Sequence, residues 1–344
     1  MTTITSTFRA SKRLLSSVSG ATILMSFAPI AYAQTVINDA RTAPVETDGE
    51  DITIESTGTI TLEDAGPALT LNSDNDVTNA GTITIEDVDN AIGVNLEGGT
   101  DRSYIQSGSI SLTETFAPTD TDEDGIINGA FAEGTGRTGI LISGASPFEG
   151  NVEFTSTSFI DVEGNDSFGI NLTNTAMAQN GLTGNLSHGG LIAVRGDNAT
   201  GINIDSGISG DFAQNGAITT TGLNAQAINI DADIQGGFAN SGAITNTGFR
   251  FTNRPGIGDA NTGLLGRDAL GAEDLLQAGS AINISANIAG GIFFDDNIDD
   301  ALDEDGNQTL DEDSNLIQQF GTAGTVVQNG SAPAVLIDLS LIHI

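Results

Sequence analysis

The chain has no cysteine and no tryptophan, only two tyrosines among 344 residues, and just seven prolines. With no cysteine, a disulfide scaffold is excluded, so something else holds the fold. Basic residues are almost as scarce: residues 34–344 hold seven arginines and no lysine against all 46 acidic side chains. That balance argues against nucleic acid and anionic lipid as partners, since both are bound by Lys and Arg. It suits a self-repelling surface or one that holds divalent cations. Helix formers such as Lys, Gln and Met are rare, and beyond residue 34 no apolar run is long enough to span a membrane as a helix. Histidine occurs only at His188 and His343. There is no G-x-S-x-G or H-E-x-x-H motif, which leaves neither a serine-hydrolase elbow nor that type of zinc site.

The first 33 residues read as a secretory signal peptide. Arg9, Lys12 and Arg13 form a positive start, Leu14–Phe27 is apolar, and Ala31-Tyr32-Ala33 is a small-residue cleavage site, with cleavage expected before Gln34. The last six residues, LSLIHI, resemble an in-frame translation of a transposon-derived sequencing adapter. Residues 339–344 are therefore set aside as an adapter-derived tail, and the reading frame is expected to continue beyond Asp338.

What remains is rich in glycine (44 residues), Asn, Ser, Thr, Ile and Val, a mixture that suits short strands and tight turns. It also repeats itself. GINIDSGISGDFAQNGAI (201–218) returns 26 residues later as AINIDADIQGGFANSGAI (227–244), with 11 of 18 positions identical. AINISANIAGGI (281–292) is a partial third copy, and looser ones begin at Ile92, Thr138 and Phe168. The phrase G-x-I recurs at Gly58–Ile60, Gly81–Ile83, Gly108–Ile110, Gly216–Ile218 and Gly242–Ile244. Each unit holds about three short alternating segments and no helical spacing, which excludes helical repeats and is too short for a propeller blade. The expectation is an all-β, right-handed parallel β-helix of about 8–10 coils, with strands stacked ~4.8 Å apart. Ile202, Ile204, Ile228, Ile230, Ile282 and Ile284 should form inward columns, with Phe212 stacked on Phe238. Asn95, Asn171, Asn203, Asn229 and Asn283 should share an outward position, either as a ligand strip or, preferred here, as an amide ladder supporting the coils.

These residues carry a resemblance. A signal peptide followed by an acidic, Cys-free chain of G-x-I and x-I-N-I coils resembles the passenger of a type V autotransporter, over most of residues 35–338. The resemblance implies a β-helical passenger (34–338) exported through an outer-membrane barrel, to the cell surface or the medium. The barrel is expected downstream, since its alternating ten-residue strands are not found in these residues. The implied partners are the outer-membrane assembly and secretion machinery and an unidentified surface ligand, glycan or neighbouring cell. The implied role is adhesive or structural and not enzymatic. The alternative is a secreted polysaccharide-active β-helix, a lyase or glycosidase working with Asp, Arg and calcium.

Function on a repeat scaffold sits in its interruptions, expected near 113–137, 247–279 and 293–330. The first contains TDTDEDGIINGAF, in which Asp120, Asp122, Asp124 and Asn128 follow the opening of a calcium loop, with Gly125 for the turn. The twelfth position is Phe131, not the bidentate Glu that completes such a loop. Asp303 and Asp305 echo the pattern more weakly. No cofactor is expected other than Ca²⁺ at these sites. The second interruption, with Arg250, Arg254 and Arg267, reads as a loop with a short helix at 268–277. His188, in LSHGGL, reads as a solvated turn residue, and Arg195-Gly196-Asp197 as a chance tripeptide.

Overall fold

The computed structural model describes residues 34–120, 129–173, 180–250, 275–294 and 323–338, together with Ile127, Ala272 and a short strand pair, Asp299–Asp300 with Gln318–Gln319. Among these residues there is no α-helix. The chain is all-β and winds as a right-handed parallel β-helix of nine coils. Three sheets of nine parallel strands run its length. Sheet A runs from Gln34–Ile37 to Ile292–Phe293, sheet B from Ala40–Arg41 to Thr325–Asn329, and sheet C from Val45–Glu46 to Val335–Ile337. A smaller parallel sheet, Phe148–Glu149, Asn180–Thr183 and Gly207–Ile208, lies in the connection from sheet C back to sheet A. Nine coils at about 4.8 Å each put roughly 40 Å between the first and the last.

Alternation explains the strands. In Thr200–Ile204 and Gln226–Ile230 the isoleucines turn inward and the residues between them face out. Ile202 pairs with Ile170 below and Ile228 above, and Ile228 in turn with Ile282. Ile204, Ile230 and Ile284 form the neighbouring column in the same register. All seven are fully buried. Phe212 stacks on Phe238 with ring centroids 5.0 Å apart and planes 18° from parallel. Each such side chain contributes about 1.5–3 kcal/mol of burial, so these columns are the main stabiliser.

The G-x-I phrase marks the corner between sheets A and B. Its isoleucines, Ile60, Ile83, Ile110, Ile218 and Ile244, belong to one buried column of sheet B. Its glycines are required by close approach: a Cβ on Gly216 would lie 2.1 Å from the Gly190 carbonyl oxygen, and one on Gly242 2.0 Å from that of Gly216. At the next corner, from B to C, the requirement is conformational. Gly196 and Gly222 have φ of 151° and 155°, and Asn198 and Asn224, two residues on, sit at 56° and 57° in the left-handed region that Asn tolerates.

The interruptions enter at corners. Residues 113–137 leave sheet B after Thr113 and rejoin sheet C at Thr138, and 247–279 leave the same corner four coils later. The third is shorter than expected. Inside the 293–330 stretch, Thr325–Asn329 pairs with Ala243–Thr247 in full register and is a regular strand of sheet B. Its Thr-Val-Val-Gln-Asn sequence lacks the isoleucine that marks this column in other coils. The expected helix at 268–277 falls largely outside the described residues.

Ile228→Ala, which opens a cavity in the middle of a continuous column, is expected to cost about 3 kcal/mol. Gly216→Ala, which drives a methyl into the carbonyl below, is expected to destabilise as well. Urea unfolding midpoints check both, and wild-type midpoints would contradict the stacking.

Candidate functional site

The asparagine row is a hydrogen-bonded ladder over four coils. Asn203 Nδ2 donates to Asn171 Oδ1 at 3.0 Å, Asn229 to Asn203 at 2.9 Å and Asn283 to Asn229 at 2.8 Å. The second amide hydrogens of Asn203 and Asn229 go to Asp205 and Asp231, at 2.9 and 2.8 Å. One expectation is corrected here. Leu141 occupies the rung between Asn95 and Asn171, so Asn95 leaves the ladder and bonds Glu97 and Ser143 instead. The row faces outward, half-buried at four positions and closed at Asn203, which is only 5% exposed. Amides committed to one another and to flanking carboxylates support coils and offer few free groups to a ligand.

The 113–137 insertion is anchored by a pair that the sequence reading missed. Arg137 and Glu114, both buried, form an ion pair at 3.2 Å. The guanidinium also donates to the Val88 carbonyl at 2.8 Å and to that of Glu163. Glu114 accepts the backbone N–H groups of Glu133 and Gly134, at 2.9 and 2.6 Å. Both charges are thus hydrogen-bonded, as burial demands. Beside them Asp87 accepts the Thr115 backbone N–H and hydroxyl, bonds that hold its carboxyl below the usual range. The only clue in the sequence was Arg137 itself, one of so few cations, at the end of an acidic loop.

Phe131, which fills the place of the calcium loop's final Glu, is buried and carries the Arg250 guanidinium 4.0 Å above its ring. Arg250 also donates to the carbonyls of Gly129 and Ala130. Burial lowers its pKa, reinforced by the nearby Arg195. Two interruptions far apart in sequence are therefore tied together. Of the calcium residues, Asp120 is described, whereas Asp122, Asp124, Asn128, Asp303 and Asp305 lie outside the described residues. Among those described, no three acidic or His side chains group as a metal site. Arg195-Gly196-Asp197 is built into a coil: Arg195 pairs with Glu163, and Asp197 accepts the Leu223 N–H at 3.0 Å.

His188 is not a solvated turn residue. It ends a strand of sheet A and points inward, 0% exposed, in a row where Phe154 lies below and Gln214 above. Nδ1 lies 2.6 Å from Gln214 Oε1, which assigns the proton to Nδ1, and Nε2 has no partner among the described residues. The interior is polar at other rungs as well. Asn79 donates to Gln106 at 3.0 Å, and on the sheet B side Asn246 donates to Gln328 at 2.9 Å. Alternation predicts which residues point inward but not that the corners accept amides.

No protein-family model matches the chain, and neither does any curated protein or solved structure.

Burial lowers the His188 pKa to about 4, against the ordinary 6.5. The imidazole is neutral in the fold and takes up a proton on unfolding, so its contribution is complete above pH 6.5 and is lost as pH falls toward 4. The loss amounts to about 3 kcal/mol. His188→Phe, which repeats the residue one rung below, is expected to flatten the pH dependence of the unfolding midpoint in that window. An unchanged slope would show that His188 does not carry it.

Proposed function

We propose that the chain is the passenger region of an autotransporter-type exported protein, a rod displayed at the cell surface or released from it, with an adhesive or structural role. The observation that carries this reading is the assembly of the whole ladder by coil-on-coil stacking without a cysteine. Such a chain can cross a membrane extended, with no disulfide to obstruct it, and build its core on the far side one coil at a time. The signal-like N-terminus and the acidic, Lys-free composition agree with it. The reading as a non-enzymatic rod draws support from where the perturbed carboxyls sit. Asp87 holds the base of an insertion, and Asp161, raised by burial, lies near Arg195 on sheet B.

Expressed from its full reading frame in a Gram-negative host, the protein is expected at the cell surface, cleaved before Gln34 and sensitive to added protease. Deletion of residues 1–33 should retain it inside. A protein that stays in the cytoplasm with residues 1–33 intact would refute export, and a stop codon directly after Asp338 would refute the barrel.

Within this reading the Asp120–Asn128 loop binds calcium weakly, with Asp303 and Asp305 a lesser site. The melting temperature is expected to rise with added Ca²⁺ and to return on chelation. No shift would remove calcium from the account.

A further inference from the structure

We infer that the outer face of sheet A over its last coils is a subsite for a neutral saccharide. The inference rests on the surface-display reading and gives it a ligand class. A groove of about 420 Å³ lies there, within the range that small-ligand sites occupy. Its floor is Ser187, Ala213, Ala239 and Phe293, the upper part of an outward row that continues below the groove to Glu153 in strict register. Earlier coils fill this row with large side chains, Ile105 and Glu153. In the later ones it falls to Ser and Ala, and Phe293 then closes the groove as an end wall. The Phe293 ring leans over Gly237, where a Cβ would sit 3.5 Å from it, and is 37% exposed.

The chemistry of the lining selects among ligands. Among the described residues Asp211 is the only charged one in the lining, and no cation lines it, on a chain of net charge −36. Uronates, sialic acids and sulfated sugars are therefore repelled. An extended peptide is poorly served too. The backbone N–H groups of Leu186, Phe212 and Phe238 are spent on the next coil, at 2.9–3.0 Å, so a strand laid on this face finds no ladder to join. A pyranose brings its own donors and acceptors and an apolar C–H face. That face suits the Phe293 ring and the alanine floor, as aromatic walls serve ligands generally. For the hydroxyls, Asn185 Nδ2 and the Ser187 hydroxyl have no partner among the described residues, the Asn185 carbonyl oxygen being taken by the Asp211 N–H at 2.9 Å. The Asp211 carboxylate has one oxygen on the Gly237 N–H at 2.7 Å and keeps the other for a ligand.

The full chain tests this on an array of immobilised neutral oligosaccharides (gluco-, manno- and galacto-), polygalacturonate and an unstructured peptide. Binding to at least one neutral oligosaccharide is expected. It should weaken about tenfold or more in Phe293→Ala and in Ala213→Gln. The second variant fills the groove at a position where the same row already carries Glu153, so the fold tolerates it, and circular dichroism confirms this. Absence of neutral-sugar binding, a preference for polygalacturonate or peptide, or undiminished binding in Ala213→Gln would each overturn the inference. Surface display without saccharide binding would sink the subsite alone, whereas retention inside the cell would sink the display reading.

Discussion

In a parallel β-helix every strand takes its backbone partners from the coils above and below, and every inward side chain must fit its equivalent one rung away. That vertical constraint governs nearly everything else in this molecule. It explains how a chain with no cysteine and few aromatics keeps a packed interior, through long columns of isoleucine, leucine and valine in contact along the axis. It also explains the glycines at the A–B corner, where successive carbonyls come so close that no Cβ fits. Polar residues that enter the interior can be joined from rung to rung, as Asn246 is between Thr220 and Gln328, whereas the buried Asn240 amide has no partner among the described residues.

The same constraint decides where the chain can be interrupted. A strand cannot be lengthened without losing register with both neighbours, but a corner can be opened if its two ends still reach the next sheet. The insertion at 113–137 does this at some electrostatic expense. Its base is held by two buried charges that would be costly apart and are satisfied together by four backbone groups. Arg250 then binds this insertion to the next one on the same corner. Rigid attachment of this kind is unlike that of a freely hanging loop, and it gives Phe131 a packing role at the position where a cation loop would need a carboxylate.

The ladder was legible because its period is nearly constant between Gly201 and Ile244, where strand, corner and column can be aligned by eye. Ile202, Phe212 and Asn203 could be assigned partners from spacing alone. Legibility failed where the code is relational. Leu141 breaks the asparagine row without disturbing the strand pattern. Thr325–Asn329 was hidden because valine replaces isoleucine at its inward position. His188 looked exposed because Gly and Ser surround it, yet Gly189 and Gly190 belong to the corner and Ser187 faces the opposite side of the strand. Arg137 and Glu114 are 23 residues apart, and nothing local in the sequence says that an acidic loop folds back to unite them. The groove on sheet A was invisible for a similar reason: it consists of side chains that are missing from an outward row, and that shows only once the rows are stacked.

The near-identity of residues 201–218 and 227–244 has a consequence for how such a molecule changes over generations. Each coil presents the same inward columns, the same glycine corner and almost the same polar row to both of its neighbours. A duplicated or deleted block of 26 residues is then a complete layer that meets surfaces already fitted to it. The rod can grow or shrink in whole steps of one strand spacing without any repacking of its core, whereas a change of a few residues inside a strand is rejected at once. Length is the trait this architecture leaves most open to inheritance, and the reach of whatever its outer surface carries is set by counting coils.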